Sequence, residues 1–427
     1  MKTVALKKTD NTPVTSPGAS QVYLFSKTLS PSGKGSAMSH SPDSSVQVFS
    51  GNVQDGFSNA FPDILAGQTF VDEALQRMGD FGFSAFMIRL DSLINTGNGA
   101  IVDLFLLNAG FILEQLTRPI HALWGLINAG SQTGPVTLGC MIPETDLSVC
   151  RNFAANIQNK LAEFQKETVS IGIAVYPLAD FSRKDAVSNA WKALTHAAVV
   201  GSGSVVVLDA ISLNISGDQL YQVGNLPEAI EEYQNALQLD PSNVNVHNSL
   251  GVCYGAMKMY DAAESEFNAA LLLKPDEVMA LYNLGVVCLL TGRKEMALNF
   301  FVNASAIDDG IFEIALLTGK LSLEVGNPEK ARYFLKKALN CRPKSGTALR
   351  TLGICYSSMN LLREAVAVYT QAVKNNPNDA ESFSQLGRLY DAIGENPEIA
   401  QLFCQHSVAI APENEVYRQT LNRLMQK

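Results

Sequence analysis

From about residue 210 onward, apolar and small residues recur on helical faces in one fixed order. Glycine marks each turn of the pattern, at Gly217, Gly251, Gly285, Gly319, Gly353 and Gly387, so the period is 34 residues. Twelve positions later comes an alanine (Ala229, Ala263, Ala297, Ala331, Ala365), and seven further on another (Ala236, Ala270, Ala304, Ala338, Ala372). Each unit contains two helical stretches, as in 244–258 and 259–273. The small residues stand where the two helices cross, while Leu250, Tyr254 and Phe267 in one unit, or Leu352, Tyr356 and Tyr369 in another, fill the remaining contacts. Pro241, Pro275, Pro343 and Pro377 stop the second helix and start the next turn. The third unit has Asp309 in place of that proline, and Ala400 falls one residue late, which predicts a one-residue insertion in the 394–397 turn. Residues 414–427 read as a closing helix with a polar outer face. No unit can bury its apolar face alone, so the pattern predicts an all-α solenoid of six stacked repeats over 210–413.

Ahead of the repeats, residues 63–209 alternate strand-like and helix-like patterns. Strands are expected over 84–91 and 169–176, with a last one at 204–208, and 121–127 with 136–142 reads as a β-hairpin. Helices are expected over 104–116, 147–164 and 184–199. The second of these carries Phe153, Ile157, Leu161 and Phe164 at helical spacing. That order predicts an α+β sandwich, an antiparallel sheet with helices on one face. Residues 1–62 are dominated by Ser, Gly, Pro, Thr and Asn and are expected to form a disordered tail. Two short apolar pieces in it, 22–25 and 46–49, are either docking strands or incidental.

The 34-residue signature resembles the tetratricopeptide repeat (TPR) family. The middle region carries a second resemblance. The stretch Val169-Ser-Ile-Gly-Ile-Ala-Val-Tyr-Pro177 is similar to a strand of the GGDEF family, the bacterial diguanylate cyclases. Ala190-Trp-Lys-Ala-Leu-Thr-His-Ala-Ala198, then Gly201 and Val205-Val-Val-Leu-Asp209, is similar to that family's terminal helix and closing strand. The resemblance implies a GTP site with two metal ions, which need carboxylate oxygens to bridge phosphates. The position matching the first carboxylate is Arg89, and no Asp or Glu occurs between Glu114 and Glu144, where the hairpin signature would supply the other. The phosphate-binding Lys is matched by Ala198, the basic residue beyond it by Ser202, and the guanine-reading Asp by Leu104; Asn95 alone survives. Arg118-Pro-Ile-His121 lacks the Asp that the family's inhibitory cyclic di-GMP site requires. The expectation is therefore a degenerate GGDEF-like domain, the fold kept and the chemistry gone: not an enzyme, with no metal and no cofactor.

Composition narrows the rest. Apolar residues make up 47% of the 427 and charged ones 17%, as in a folded protein, and the net charge of −9 argues against a nucleic-acid surface. The N-terminus has no apolar core of signal-peptide length, and the most apolar run, 100–113, is interrupted by Asp103 and Asn108, so membrane insertion is not expected. The seven cysteines form no C-x-x-C pair and Cys253, Cys288 and Cys355 fall on core positions, which reads as reduced thiols in a cytoplasmic protein. His121, His196, His247 and His406 are isolated in sequence and read as packed or solvated side chains rather than metal ligands. Gly201-Ser-Gly-Ser204 follows a helix and precedes a strand, so a connecting turn fits better than a phosphate loop. Asp91 and Arg89 share one strand face and suit an ion pair.

In TPR-like proteins, positions two, five, nine and twelve of each unit line the inner groove. This predicts a protein-binding face carrying Asn248 and Val252 from the second unit and Tyr282 and Val286 from the third. Lys320 and Leu323 follow from the fourth, Arg350 and Ile354 from the fifth, and Arg388 from the sixth. Apolar anchors followed by cations suit a peptide that brings acidic residues. The carboxylate clamp of chaperone-binding TPR proteins is absent, so that partner is not expected. Two readings follow: a cytoplasmic interaction scaffold, with self-association open, or a non-catalytic sensor of GTP or cyclic di-GMP that regulates a TPR-bound partner.

Overall fold

The computed structural model of the chain describes residues 55–91, 99–127, 136–164, 168–394 and 396–426. These fall into two compact units, one ending at Cys253 and one beginning at Tyr254.

The first unit opens with helices α1 (Asp55–Ala60) and α2 (Gly67–Met78). Then come β1 (Phe83–Leu90), α3 (Gly99–Thr117), β2 (Leu123–Leu126), β3 (Thr137–Ile142), α4 (Leu147–Phe164), β4 (Val169–Tyr176), α5 (Asp185–Val200) and β5 (Val205–Val207). The sheet runs in the order β2-β3-β1-β4-β5. β1 pairs antiparallel with β3 and β4, and β2 with β3, but β4 and β5 pair in parallel. The sheet is thus mixed rather than antiparallel, because α5 supplies the long crossover that returns the chain in the same direction. Nor are the helices confined to one face. Phe86, Ile88 and Leu90 of β1 share a core with Phe105 and Leu113 of α3 and Ile157 and Leu161 of α4. On the opposite face Gly125 and Gly139 lie against the Phe70 ring of α2, and Gly172 lies so close to α5 that a Cβ there would overlap the backbone at Ala190 and Leu194. Covering both faces explains why β1 is apolar at nearly every position instead of alternating.

Two further features depart from expectation. Within the stretch expected to be a tail, α1 buries Phe57, and Phe61 meets the Trp124 ring edge-on at 5.1 Å. Two aromatics one helical turn apart supply an apolar face that the Ser- and Gly-rich surroundings hide. The rest of the expected tail, residues 1–54, lies outside the described residues. The first repeat, α6 (Ala210–Gln222) and α7 (Leu226–Leu239), belongs to the same compact unit as the sheet. Asp209 caps α6, accepting from the Ser212 amide at 2.8 Å and hydroxyl at 2.7 Å. His196 of α5 meets that hydroxyl at 3.0 Å through Nδ1, and Lys192 of α5 pairs with Glu232 of α7 at 2.6 Å. Helix α8 (Val244–Ala256) spans the boundary between the units.

Among the described residues the regular elements of the second unit are all helices: α9 (Tyr260–Leu273), α10 (Val278–Leu290), α11 (Lys294–Ile307), α12 (Phe312–Glu324), α13 (Pro328–Cys341), α14 (Gly346–Ser358), α15 (Leu362–Asn375), α16 (Ala380–Ile393), α17 (Pro397–Ile410) and α18 (Glu415–Met425). At Gly217, Gly285, Gly319 and Gly353 the recurring glycine of the first helix faces one large residue of the second: Tyr233, Phe301, Leu335 and Tyr369. A Cβ at Gly285 or Gly353 would stand 2.5 Å from the Phe301 or Tyr369 ring. Helices α8, α10, α12 and α14 end two residues before a left-handed residue, with φ of 63° at Lys258, 79° at Gly292 and Gly326 and 57° at Asn360, and α16 ends directly before Gly394, at 75°. Side chains of Asn327, Ser345, Asp379 and Asn414 cap the helices that follow them. All seven cysteines are free thiols; Cys341 alone is not buried.

Candidate functional site

The inner positions anticipated from the repeat register divide sharply by exposure. In the first unit Asn248 is half-buried, and Val252 is 1% exposed. In the second, Tyr282 and Val286 are 3% and 7% exposed. Both belong to a core cluster with Cys288, Ile314 and Leu321, and the Tyr282 ring packs 5.8 Å from that of Phe301. Tyr282 and Val286, expected as groove floor, are therefore interior, packed against Phe301 and Ala297 of α11 and Ile314 of α12. What is left to solvent on the later repeats is the half-buried Leu323 and Lys320, the exposed Ile354 and the exposed Arg388.

Charge pairing decides among the cations. Arg350 of α14 donates from Nη1 to Asp379 at 3.0 Å and from Nε to Glu381 at 3.2 Å. Asp379 is 5% exposed in its side chain and also accepts from the Ser382 amide and hydroxyl at the start of α16. Arg350 is thus a staple between two repeats, its charge spent on the next unit's cap. Glu324 of α12 pairs with Lys294 at 2.9 Å, and Glu313 with Arg342 at 2.8 Å. Lys320, between them on α12, has no acceptor among the described residues. Burial, and then the Arg350 charge, holds its ammonium below the usual lysine range, against a smaller pull from Glu324. Arg388 is exposed and likewise has no ion pair among the described residues.

One polar centre lies at inner positions of the first repeat, where the register places Asn214 and Asp218. Asp218 of α6 accepts from the Tyr233 hydroxyl at 2.8 Å and from Asn214 Nδ2 at 3.3 Å, with a further hydrogen bond from Ser249. No basic side chain pairs with it among the described residues. Burial pushes its carboxyl up to about 6, against the opposing hydrogen bonds. The signal was present as an Asp at the ninth position of a repeat, but nothing in one sequence reports that its surroundings exclude water.

In the sheet, Arg89 stands across from Thr137 on β3 and Ser170 on β4. Its Nε is buried with no hydrogen-bond partner, and burial lowers its pKa against the pull of Asp91. Asp91 accepts instead from Thr168 at 2.7 Å, Ser170 at 2.5 Å and the Gly203 amide at 2.7 Å. The amide of the 201–204 turn is committed to that carboxylate. Asn95 and the hairpin turn at 128–135 lie outside the described residues. Among the described residues no group of three His, Cys, Asp or Glu side chains could hold a metal ion, and no helix is long and apolar enough to cross a membrane. Of the histidines, His247 meets the Pro241 carbonyl at 3.1 Å and His406 stacks on Phe383 with ring centres 5.4 Å apart.

The C-terminal half is built of tetratricopeptide repeats. One family model, described as TPR repeat, matches residues 217–258, and two described as tetratricopeptide repeat match 257–310 and 322–389. Protein FlbA of Caulobacter vibrioides is 27% identical over 236 residues, 54% of this chain and 38% of that protein. The BBSome complex member BBS4 of Bos taurus is 28% identical over 134 residues, 31% of this chain and 26% of that one. Hsp70-Hsp90 organizing protein 1 of Glycine max is 26% identical over 191 residues, 43% of this chain and 32% of that one. The chain thus spans less than two fifths of the length of each. Among solved structures, YrrB, described as a TPR protein with an unusual peptide-binding site, matches with a TM-score of 0.42 at 17% identity, over 44% of this chain and 96% of that one. Pseudomonas aeruginosa PilF matches with a TM-score of 0.42 at 19% identity, over 50% and 97%.

Proposed function

We propose that the protein is a cytoplasmic interaction scaffold that binds a partner protein along the inner face of its repeats. The carrying observation is the repeat stack itself. It offers equivalent positions on successive helices, of which Lys320, Leu323, Ile354 and Arg388 stay open while their neighbours close into the core. Such a row matches alternate side chains of one bound segment and needs no catalytic group. The sheet part is read as a degenerate relative of the diguanylate cyclases, supported by the residue resemblance and by Arg89 in place of a metal-binding carboxylate. Incubation with GTP and magnesium or manganese should yield no cyclic di-GMP. Neither nucleic acid nor a membrane enters this reading, and self-association stays compatible with it.

The test is affinity capture with the full chain as bait, wild type against Ile354→Asp with Arg388→Glu. A partner retained by the wild type and lost from the variant supports the reading, provided both have the same melting temperature. Retention by both places binding elsewhere. One observation favours a second reading, a nucleotide sensor: the buried, unpartnered Nε of Arg89 would suit a phosphate oxygen. Calorimetric titration with GTP and cyclic di-GMP, with and without magnesium, separates the two, since the scaffold reading expects no heat.

A further inference from the structure

Lys320 is the one cation of α12 whose surroundings leave it an unused charge. Its side chain is half-buried, and the carboxylates that would ordinarily neutralise it are taken. Glu324, one turn on, is held by Lys294 at 2.9 Å. Glu313, two turns back, is held by Arg342 at 2.8 Å. Asp379 and Glu381 are both held by Arg350. Arg350 itself adds to the positive potential at Lys320 rather than relieving it. Leu316 and Leu323 flank Lys320 on its own helix, at the i−4 and i+3 positions that share a face, and both are only partly buried. Withdrawing an ammonium from water among leucines is unfavourable unless an anion meets it.

We infer that Lys320 and its flanking leucines form a subsite for an acidic side chain, Asp or Glu, set between apolar residues of a bound protein segment. The inference rests on the inner-face reading above and names the chemistry of its partner. Charge complementarity chooses the occupant. A basic or neutral segment would leave the ammonium as it is, whereas a carboxylate would form a charge-assisted hydrogen bond in a partly desolvated place, where such bonds are strongest. The neighbouring leucines favour a segment in which the acid alternates with apolar residues over a uniformly acidic one.

The experiment uses the full chain and two fluorescein-labelled twelve-residue probes, acetyl-(Leu-Ala-Glu-Ala)3-amide and its counterpart with Gln for Glu. Binding is followed by anisotropy at low and at 300 mM salt. The Glu probe should bind at least about tenfold more tightly, a preference that shrinks with salt because the pair is partly exposed. Lys320→Met should abolish the preference, Lys320→Arg should keep most of it, and Lys294→Met, which frees Glu324 to pair with Lys320, should reduce it. Circular dichroism of each variant confirms that the helices persist. If both probes bind alike, or if the preference survives Lys320→Met, the subsite is refuted and the inner-face reading stands. If neither binds up to millimolar concentration, both fall.

Discussion

Replacing Asp218 with Asn should raise the stability of the first unit at neutral pH, and the gain should disappear in mild acid. The carboxyl titrates at about 6 in the fold, against 3.8 for an ordinary aspartate, because burial disfavours its charged form more than Tyr233, Asn214 and Ser249 stabilise it. A raised folded pKa means that the folded state binds the proton more tightly than the unfolded one. The group's favourable contribution is complete below the unfolded value and is lost as pH rises through the folded one. Across about two pH units at about 1.4 kcal/mol each, ionised Asp218 costs ~3 kcal/mol at pH 7.5. Asn is neutral, keeps an oxygen for the Tyr233 hydroxyl, and turns an amide donor toward a donor of Asn214, which costs back ~1 kcal/mol. The net gain of about 2 kcal/mol corresponds to a rise in melting temperature of about 4–8 °C for a unit of this size. Scanning calorimetry of wild type and Asp218→Asn at pH 7.5 and 4.5 measures it. A variant that melts no higher than wild type at pH 7.5, or that keeps the same advantage at pH 4.5, refutes the argument that desolvation dominates at this carboxylate.

Gly353→Ala should destabilise the repeats by about 1–2 kcal/mol: the new Cβ meets the Tyr369 ring, 1% exposed and unable to yield, and this outweighs the gain in helix propensity. Urea unfolding followed by circular dichroism reads the difference. By the same assay Arg350→Met should cost about 2 kcal/mol, since it strips the cation from the nearly buried Asp379, whereas Arg388→Met should stay within about 0.5 kcal/mol. Lys258→Gly should stabilise by about 0.5–1 kcal/mol, because φ is 63° there and the strain of a left-handed lysine exceeds the extra chain entropy of glycine.

The repeats were legible because their packing rule is written in small residues at fixed spacing. Gly217 must be small because Tyr233 fills the space beside it, and the same collision recurs at Gly285 with Phe301 and Gly353 with Tyr369. A second periodic signal passed unread: Gly224, Gly292, Gly326 and Gly394 stand 34 residues apart or a multiple of it, marking the left-handed turn between the helices of each unit. Lys258 and Asn360 occupy the same register without glycine, which blurs it. In the sheet, element order was readable from periodicity, but strand direction was not. An apolar run such as 205–207 looks alike whether its neighbour runs with it or against it, and only the length of α5 argues for the parallel arrangement. Covering of both faces could have been suspected from β1, whose residues 83–88 alternate no polar position except Ser84.

The candidate site was less legible than the fold, for a reason specific to charge. Repeat register fixes where a side chain begins; it does not fix what the side chain meets. Arg350, Lys320 and Arg388 look equivalent as cations at inner positions. Their roles diverge because Asp379 and Glu381 stand at the start of the repeat after Arg350, while the acids nearest Lys320 along its helix are drawn off by Lys294 and Arg342. The same holds for Tyr282 and Val286, whose register is that of ligand-facing residues but whose neighbours close over them. A substitution at Lys294 therefore has a reach that position alone would not suggest. Freed from Lys294, Glu324 could turn one helical step back to Lys320 and compete with an acidic ligand for the same ammonium.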